Sequence, residues 1–421
     1  MGGFDLPPIG RVVGQRGSAA ANPYTSISQA RSSNQSARIE SVVPRELIAI
    51  APRTPILREY KAPPLAPGQI RIHTVFASPK HGTELVGYRN DPAGQRVYDR
   101  ELGAIMPRPE SAGSGFPQPL GNMAVGIVCE VGPAAERFRV GDRVFGHWPI
   151  RETHTVDEQL VDPMPPNLSE EAAVCLDPAV MAFPMRDARI GLGDWVAVFG
   201  MGAIGLLAVQ LARLGGADQI IAVDLIAERR ELAVRFGADV ALDPRADGGD
   251  IGLAIRELTR KGTDGAALER PAGEHIVGGY RERPTQFTDL GVDVAVEVSG
   301  SSRALHDAIR STRFGGTICV LSYYGSDAKE LHLGEEFHIN RLQLVSARAQ
   351  SLPLRDAPGW TLTRLVETCL TWLVSGKLRV DGIVTPIVIF EQAADAYRAI
   401  DEHPEQSIKL GIRFPAWPGR H

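Results

Sequence analysis

Apolar positions in the middle of this 421-residue chain come in short unbroken runs, separated by longer amphipathic stretches. Residues 195–199, 220–223, 239–242, 292–298, 317–321 and 342–346 read as strands, with helical stretches between most of them. Strands that alternate with helices imply a parallel sheet, and this many imply a doubly wound α/β domain. Before that region the period changes. Ile70-Arg-Ile-His-Thr-Val-Phe alternates apolar with polar, Ala124 to Val131 forms a second strand, and Gly141-Asp-Arg-Val-Phe-Gly turns into a third. The tail is helical again: Leu362, Leu365, Val366, Cys369, Leu370 and Leu373 share one face, and Gly376 suits the stop. A second helix is predicted around Ala393, Ala394, Tyr397 and Ile400.

Residues 1–44 carry Ser, Gly, Ala, Asn, Gln and Pro without period and read as a flexible extension. Order is expected to begin at Arg45-Glu-Leu-Ile-Ala-Ile. The pattern divides the rest into a β-rich segment at 45–180, a dinucleotide-type segment at 181–348 and a return at 349–421. Residues 90–118 and 262–290 break the rhythm and read as insertions.

Composition narrows the partners. A net charge of −5 with no long basic run argues against nucleic acid and anionic membrane. No stretch approaches the roughly 20 apolar residues of a membrane span. The four cysteines, at 129, 175, 319 and 369, form no C-x-x-C pair, and the first residues lack a basic-then-apolar leader. The expected setting is therefore reducing and cytoplasmic, and the expected partner a small molecule.

The strongest chemical signal follows the run Trp195 to Phe199. Gly200, Gly202 and Gly205 have the G-x-G-x-x-G spacing, lead into an apolar helix, and are followed by Asp224 at the end of the next strand. Gly200 permits the tight turn, Gly202 leaves room for a pyrophosphate, and Gly205 lets helix and strand approach. The first helical N–H groups, at Ala203 and Ile204, face the phosphates. Asp224 suits the two ribose hydroxyls and repels a 2′-phosphate, so NAD is expected over NADP; Arg229 and Arg230 weaken that preference. Strand carboxyl ends hold ligands in such sheets, which draws in Val298-Ser299-Gly300 and Leu321-Ser322-Tyr323.

The order of segments resembles the medium-chain dehydrogenase/reductase superfamily over about residues 45 to 415. Gly141-Asp-Arg-Val, Leu168-Ser-Glu-Glu-Ala-Ala, the glycine triplet and Gly315-Gly-Thr-Ile carry the resemblance. Gly82-Thr-Glu-Leu-Val-Gly-Tyr-Arg and Leu333-Gly-Glu-Glu-Phe-His-Ile-Asn-Arg-Leu look like its bacteriochlorophyllide-dehydrogenase-like subgroup. The resemblance implies a GroES-like catalytic domain beside a Rossmann domain, an active site in the cleft between them, and a homodimer across the sheet edge. It also implies that Ser299, Ser322 and Tyr323 hold the nicotinamide end.

Zinc members of the superfamily bind a catalytic ion through a Cys-Gly-Ser/Thr-Asp motif, a Gly-His-Glu motif, and a third Cys or Glu. The matching stretches here are His81-Gly82-Thr83-Glu84, Gly121-Asn122-Met123 and Asp177-Pro178. Only His81 and Asp177 keep ligand chemistry, where three protein ligands are usual. The structural-zinc cysteines are absent, since only Cys175 lies between Gly141 and Asp177. His147, His154 and Glu101 are the other residues able to complete a set. The expectation is a zinc-free NAD-dependent interconversion of a secondary alcohol and a ketone on a cyclitol, sugar-like or specialised metabolite. In it His81 is the acid–base group, Thr83 a proton relay and Asp177 the carboxylate orienting His81. Three other functions fit the same fold: a zinc-dependent polyol-type dehydrogenase with atypical ligands, a zinc-free enoyl or quinone reductase, and a non-catalytic dinucleotide sensor.

Overall fold

A computed structural model describes residues 43–92, 96–109, 115–246, 248–261, 276–277, 280–281, 290–325, 327–351 and 355–417. Almost all of the predicted extension at 1–44, and most of the insertion at 262–290, lie outside the described residues.

Strand β1 (Arg45–Ala51) begins where order was expected and pairs antiparallel with β2 (Thr54–Glu59). The alternating run becomes β3 (Gln69–Ser78), and α1 (His81–Arg89) follows after a two-residue turn. Within the 90–118 insertion, β4 (Arg96–Asp99) and β5 (Ala104–Pro107) form a hairpin, and β6 (Gln118–Pro119) joins β1. Next come β7 (Met123–Val131), β8 (Arg143–Gly146), β9 (Thr153–Asp157) and β10 (Asp162–Pro163). They build a sheet in the order β10-β8-β7-β3, with β9 also pairing β3. β3 serves two cores: Ile70 and Ile72 enter the interior of this β-rich region, whereas Phe76 packs toward the helices that follow.

Those helices are α2 (Glu170–Val174) and α3 (Leu176–Ala182). Ser169 caps the first, its hydroxyl accepting the N–H of Ala172 at 3.1 Å, which is what Ser before Glu-Glu-Ala-Ala suggests. The chain then alternates: β11 (Trp195–Phe199), α4 (Ala203–Gly215), β12 (Gln219–Val223), α5 (Ala227–Arg235), β13 (Val240–Leu242) and α6 (Ile251–Lys261). After the short pair β14 (Ile276–Val277) and β15 (Tyr280–Arg281) come β16 (Val292–Glu297), α7 (Ser302–Ser311), β17 (Thr312–Val320) and β18 (Gln343–Ser346). Their parallel sheet runs β13-β12-β11-β16-β17-β18. In the domain's own order that is 3-2-1-4-5-6, the dinucleotide-binding arrangement, with its switch point between β11 and β16. Val196 and Val198 of β11 enter one core while Ala197 and Phe199 enter another. Burial on both faces is why the strand reads as an unbroken apolar run. The fifth strand starts before the expected Thr317, because Gly315, at φ 70°, lies where the pairing with β16 shifts register.

The tail supplies α8 (Leu362–Val374), β19 (Val384–Ile389), α9 (Ala393–Glu402) and β20 (Lys409–Arg413). β20 pairs antiparallel with β3 and parallel with β19, so the chain end completes the first sheet. The architecture is thus a GroES-like β-rich domain plus a Rossmann sheet.

Candidate active site

Gly200 leaves β11 with φ 98°, and a Cβ there would stand 2.8 Å from the side chain of Ser299. A Cβ on Gly205 would collide with the carbonyl oxygen of Gly200. A Cβ on Gly202 would meet nothing within 4 Å. Two of the glycines therefore close the strand–helix turn, and the third leaves an open face over the N-terminus of α4. There Ala203, Ile204 and Gly205 present first-turn N–H groups that lack partners within the helix. These features fit a dinucleotide pyrophosphate.

Asp224 is buried just after β12. Its Oδ2 accepts the N–H of Met201 at 2.6 Å and its Oδ1 that of Ile226 at 2.8 Å. The carboxylate thus braces the glycine turn, and its remaining lone pairs suit ribose hydroxyls. Arg229 points elsewhere: its guanidinium donates to the carbonyls of Pro404 at 2.6 Å and Ser407 at 2.7 Å. Arg230 donates to the carbonyl of Asp224 at 2.7 Å and pairs with Asp243.

At the strand ends, Ser299 donates its hydroxyl to the fully buried Glu297, which also accepts the N–H groups of Ser299 and Gly300 and the phenol of Tyr324. Ser322 donates its hydroxyl to the carbonyl of Glu297 at 3.5 Å, and Tyr323 is exposed. Glu297 and Tyr324 were not among the expected residues. The signal was a carboxylate closing the otherwise apolar strand Val-Asp-Val-Ala-Val-Glu.

The turn from β3 into α1 is fastened to β20 at several points. Ser78 donates its hydroxyl to the carbonyl of Leu410 at 2.7 Å, buried Lys409 donates to the carbonyl of Pro79 at 3.0 Å, and Leu410 donates its N–H to Nε2 of His81 at 3.0 Å. His81 is therefore neutral, with its proton on Nδ1. Burial, reinforced by the nearby charges of Lys409 and Arg229, depresses its pKa to about 3. Thr83 is exposed on the first turn of α1.

Glu84 clamps the same turn from the other side. One oxygen accepts the N–H of Lys80 at 3.0 Å; the other accepts the N–H of Gly121 and the phenol of Tyr397, both at 2.7 Å. Burial raises the Glu84 pKa against these bonds. Asp177, buried in the first turn of α3, takes Nζ of Lys80 at 3.0 Å, so its ion-pair partner is the residue before His81. A cavity of about 690 Å³ opens along β7, β8 and β9, lined by Met123, His147, Trp148, Asp157 and Leu176, the last adjoining Asp177.

Residues 203–357 match the family described as zinc-binding dehydrogenase. The chain is 37% identical over 379 residues to D-guloside 3-dehydrogenase of Escherichia coli (strain K12), covering 88% of this chain and 100% of that protein. It is 31% identical over 328 residues to (R,R)-butanediol dehydrogenase of Bacillus subtilis (strain 168), covering 70% of this chain and 81% of the relative. The crystal structure of 2R,3R-butanediol dehydrogenase from Bacillus subtilis superposes with a TM-score of 0.62 at 22% identity, covering 89% of this chain and 100% of the other. This chain belongs to the zinc-binding dehydrogenase family of the medium-chain superfamily. It is an NAD-linked oxidoreductase.

The dehydrogenase departs from its family's description at the metal position. Nε2 of His81 is spent on Leu410, Asp177 already holds an ammonium, and Asn122 and Met123 replace the second motif. Among the described residues, no group of three or more His, Cys, Asp or Glu is disposed to hold a metal ion. This donor set does not fit a catalytic zinc. His154, weighed as a substitute ligand, is buried on β9 with Nδ1 accepting from Arg151 at 2.9 Å and its ring 5.1 Å from that of Trp148. His147 lines the cavity instead.

Lys80, Glu84 and Lys409 form the polar frame of this site, and sequence reasoning passed over Lys80 and Lys409. Lys80 was the more accessible signal, as a cation directly before the family's first ligand position. Lys409 lies far along the chain and reaches the site only through the pairing of β20 with β3.

Proposed function

We propose that this dehydrogenase oxidises a ring secondary alcohol of a glycoside or related sugar to the ketone, using NAD and no catalytic zinc. The observation that carries the reading is the 37% identity to D-guloside 3-dehydrogenase along that protein's whole length. The glycine turn and Asp224 would hold NAD⁺, which would supply the hydride acceptor, so that alcohol and NAD⁺ balance as ketone, NADH and one proton.

In this reading Gly200, Gly202, Ala203, Ile204 and Gly205 hold the pyrophosphate and Asp224 the ribose. Ser299 and Ser322 border the nicotinamide end, Tyr323 stands open beside them, and Arg229 shapes the adenosine side through the segment it anchors. Asp177 works through Lys80, His81 fixes the turn, and Thr83 offers an exposed hydroxyl on the first turn of α1. Residues 45–180 and 349–421 form the catalytic domain and 181–348 the cofactor domain, and two copies join across the free edge of β18. The resemblance to the bacteriochlorophyllide-dehydrogenase-like subgroup marks sequence neighbours, not a substrate.

The test is NADH formation across a panel of hexopyranosides, free polyols and butanediols. Turnover concentrated on glycosides, with a ketone on the ring by mass and NMR, is the expected result. Preference for butanediols, or reduction of enones and quinones, would overturn the glycoside assignment. No turnover on any alcohol or ketone would favour a sensor.

A further inference from the structure

Beside the position where zinc members of the superfamily place their first metal ligand stands Lys80, and at the second stands Asn122, both hydrogen-bond donors. Nζ of Lys80 lies 3.0 Å from buried Asp177 while its side chain stays 22% exposed, so one face of the ammonium is held and another is open. The side-chain Nδ2 of Asn122 is buried and has no hydrogen-bond partner among the described residues. Leaving such a donor unmet is costly, and a ligand oxygen would satisfy it.

The backbone segments that carry the two donors are braced together. Glu84 accepts the backbone N–H of Lys80 with one oxygen and that of Gly121, next to Asn122, with the other. Asn122 itself donates its N–H to the carbonyl of Ser78 at 3.1 Å, two residues before Lys80. Lys409 and Leu410 fasten Pro79 and His81 on either side of Lys80. Such bracing serves a group that must meet a substrate atom at fixed geometry.

We propose that Lys80, steered by Asp177, and the amide of Asn122 together perform at the substrate oxygen the task a metal ion performs in zinc members, so that turnover needs no metal. In the oxidation, Asn122 donates a hydrogen bond to the alcohol oxygen. The ammonium of Lys80 first gives a proton to water at its exposed face; the amine so formed takes the O–H proton as the C–H bond gives up its hydride, and stands again as the ammonium against Asp177. In ketone reduction the ammonium returns that proton to the oxygen. The positive charge and the amide stabilise negative charge developing on the oxygen, as preorganised donors do in other oxyanion sites.

The inference rests on the alcohol–ketone reading, and its test separates the two. The full-length enzyme is dialysed against a chelator and assayed for metal content, NADH binding by fluorescence, and turnover of the best substrate from the panel. Expected are substoichiometric zinc and undiminished kcat. Lys80→Ala should lower kcat about 10²- to 10⁴-fold with NADH binding intact, and added primary amines such as ethylamine should restore part of it. Asn122→Leu should lower kcat about 10²-fold. Asp177→Asn should lower kcat less than Lys80→Ala, and amines should not restore it. Stoichiometric zinc whose removal abolishes activity would overturn the proposal. So would wild-type kcat in Lys80→Ala, or loss of kcat without amine rescue while NADH still binds. If Lys80→Ala no longer binds NADH, Asn122→Leu and Lys80→Arg decide: wild-type kcat in either counts against the proposal, and loss of kcat in Lys80→Arg with NADH still bound counts for it, because a guanidinium keeps the charge and cannot take the proton. A wild type silent on every alcohol and ketone is failure of the functional reading; an active wild type indifferent to Lys80 is failure of this one.

Discussion

Leu410 donates its backbone N–H to Nε2 of His81 at 3.0 Å, tying the first turn of α1 to β20 across more than three hundred residues of chain. That bond requires a neutral imidazole, and burial beside Lys409 and Arg229 holds the His81 pKa near 3. Because the folded value lies below the ordinary 6.5, the unfolded chain binds the extra proton first as pH falls. The stabilising contribution is therefore complete above about pH 6.5 and is lost progressively toward pH 3. His81→Gln keeps an acceptor for Leu410 and cannot titrate. Its melting temperature should fall less steeply than wild type between those pH values. Identical slopes would remove His81 from the account.

Tyr397 donates to the carboxylate of Glu84 at 2.7 Å from a fully buried site. Burial and the neighbouring Glu84 push its phenol pKa upward, which keeps it a donor throughout the working range. Tyr397→Phe leaves Glu84 short of one donor in a buried place and should destabilise the fold by about 2 kcal/mol. Chemical denaturation measures this; an unchanged midpoint would mean that the clamp contributes nothing.

Asp224 braces Met201 and Ile226 and is the carboxylate expected to meet the adenosine ribose. Asp224→Asn removes the charge and one strong acceptor. NAD⁺ affinity should fall about tenfold, or about 1.4 kcal/mol, while the penalty on NADP⁺ shrinks. Parallel titrations with the two dinucleotides report it, and NADP⁺ binding more tightly than NAD⁺ in the wild type would refute the cofactor assignment.

Gly205 lies against the carbonyl of Gly200, with a methyl of Val298 also near the position a Cβ would take. Gly205→Ala must push α4 away from β11. A loss of about 1–3 kcal/mol in stability, with dinucleotide affinity falling alongside, is expected. Gly202→Ala, whose Cβ would meet nothing in the protein, should keep stability and lose affinity. Equal behaviour of the two variants would contradict the division of roles between these glycines.

The Rossmann half was readable in the chain because its signals are local. An unbroken apolar run, three glycines at fixed spacing and an acid at the next strand end all fall between Trp195 and Asp224. A parallel strand buried on both faces must be apolar throughout, and a turn that meets a phosphate must shed its side chains. The strand starting at Thr312 was read short because a bulge at Gly315 is set by pairing with β16, not by the pattern of its own residues. The chemistry at the substrate end was less readable. Sequence position singled out His81 and Asp177 as a pair, but the fold pairs Asp177 with Lys80 and His81 with Leu410.

The sequence by itself determined the cofactor fold, its glycine turn and the loss of the usual zinc motifs, since each is written within a few neighbouring residues. Which buried charge meets which was decided only by the tertiary structure. Lys80, Glu84, Asp177, Tyr397 and Lys409 come from five separate elements or turns. Their hydrogen bonds and ion pair exist only once β20 has paired with β3 and α3 and α9 have docked, because contacts of a few ångströms between distant residues leave no period in the chain.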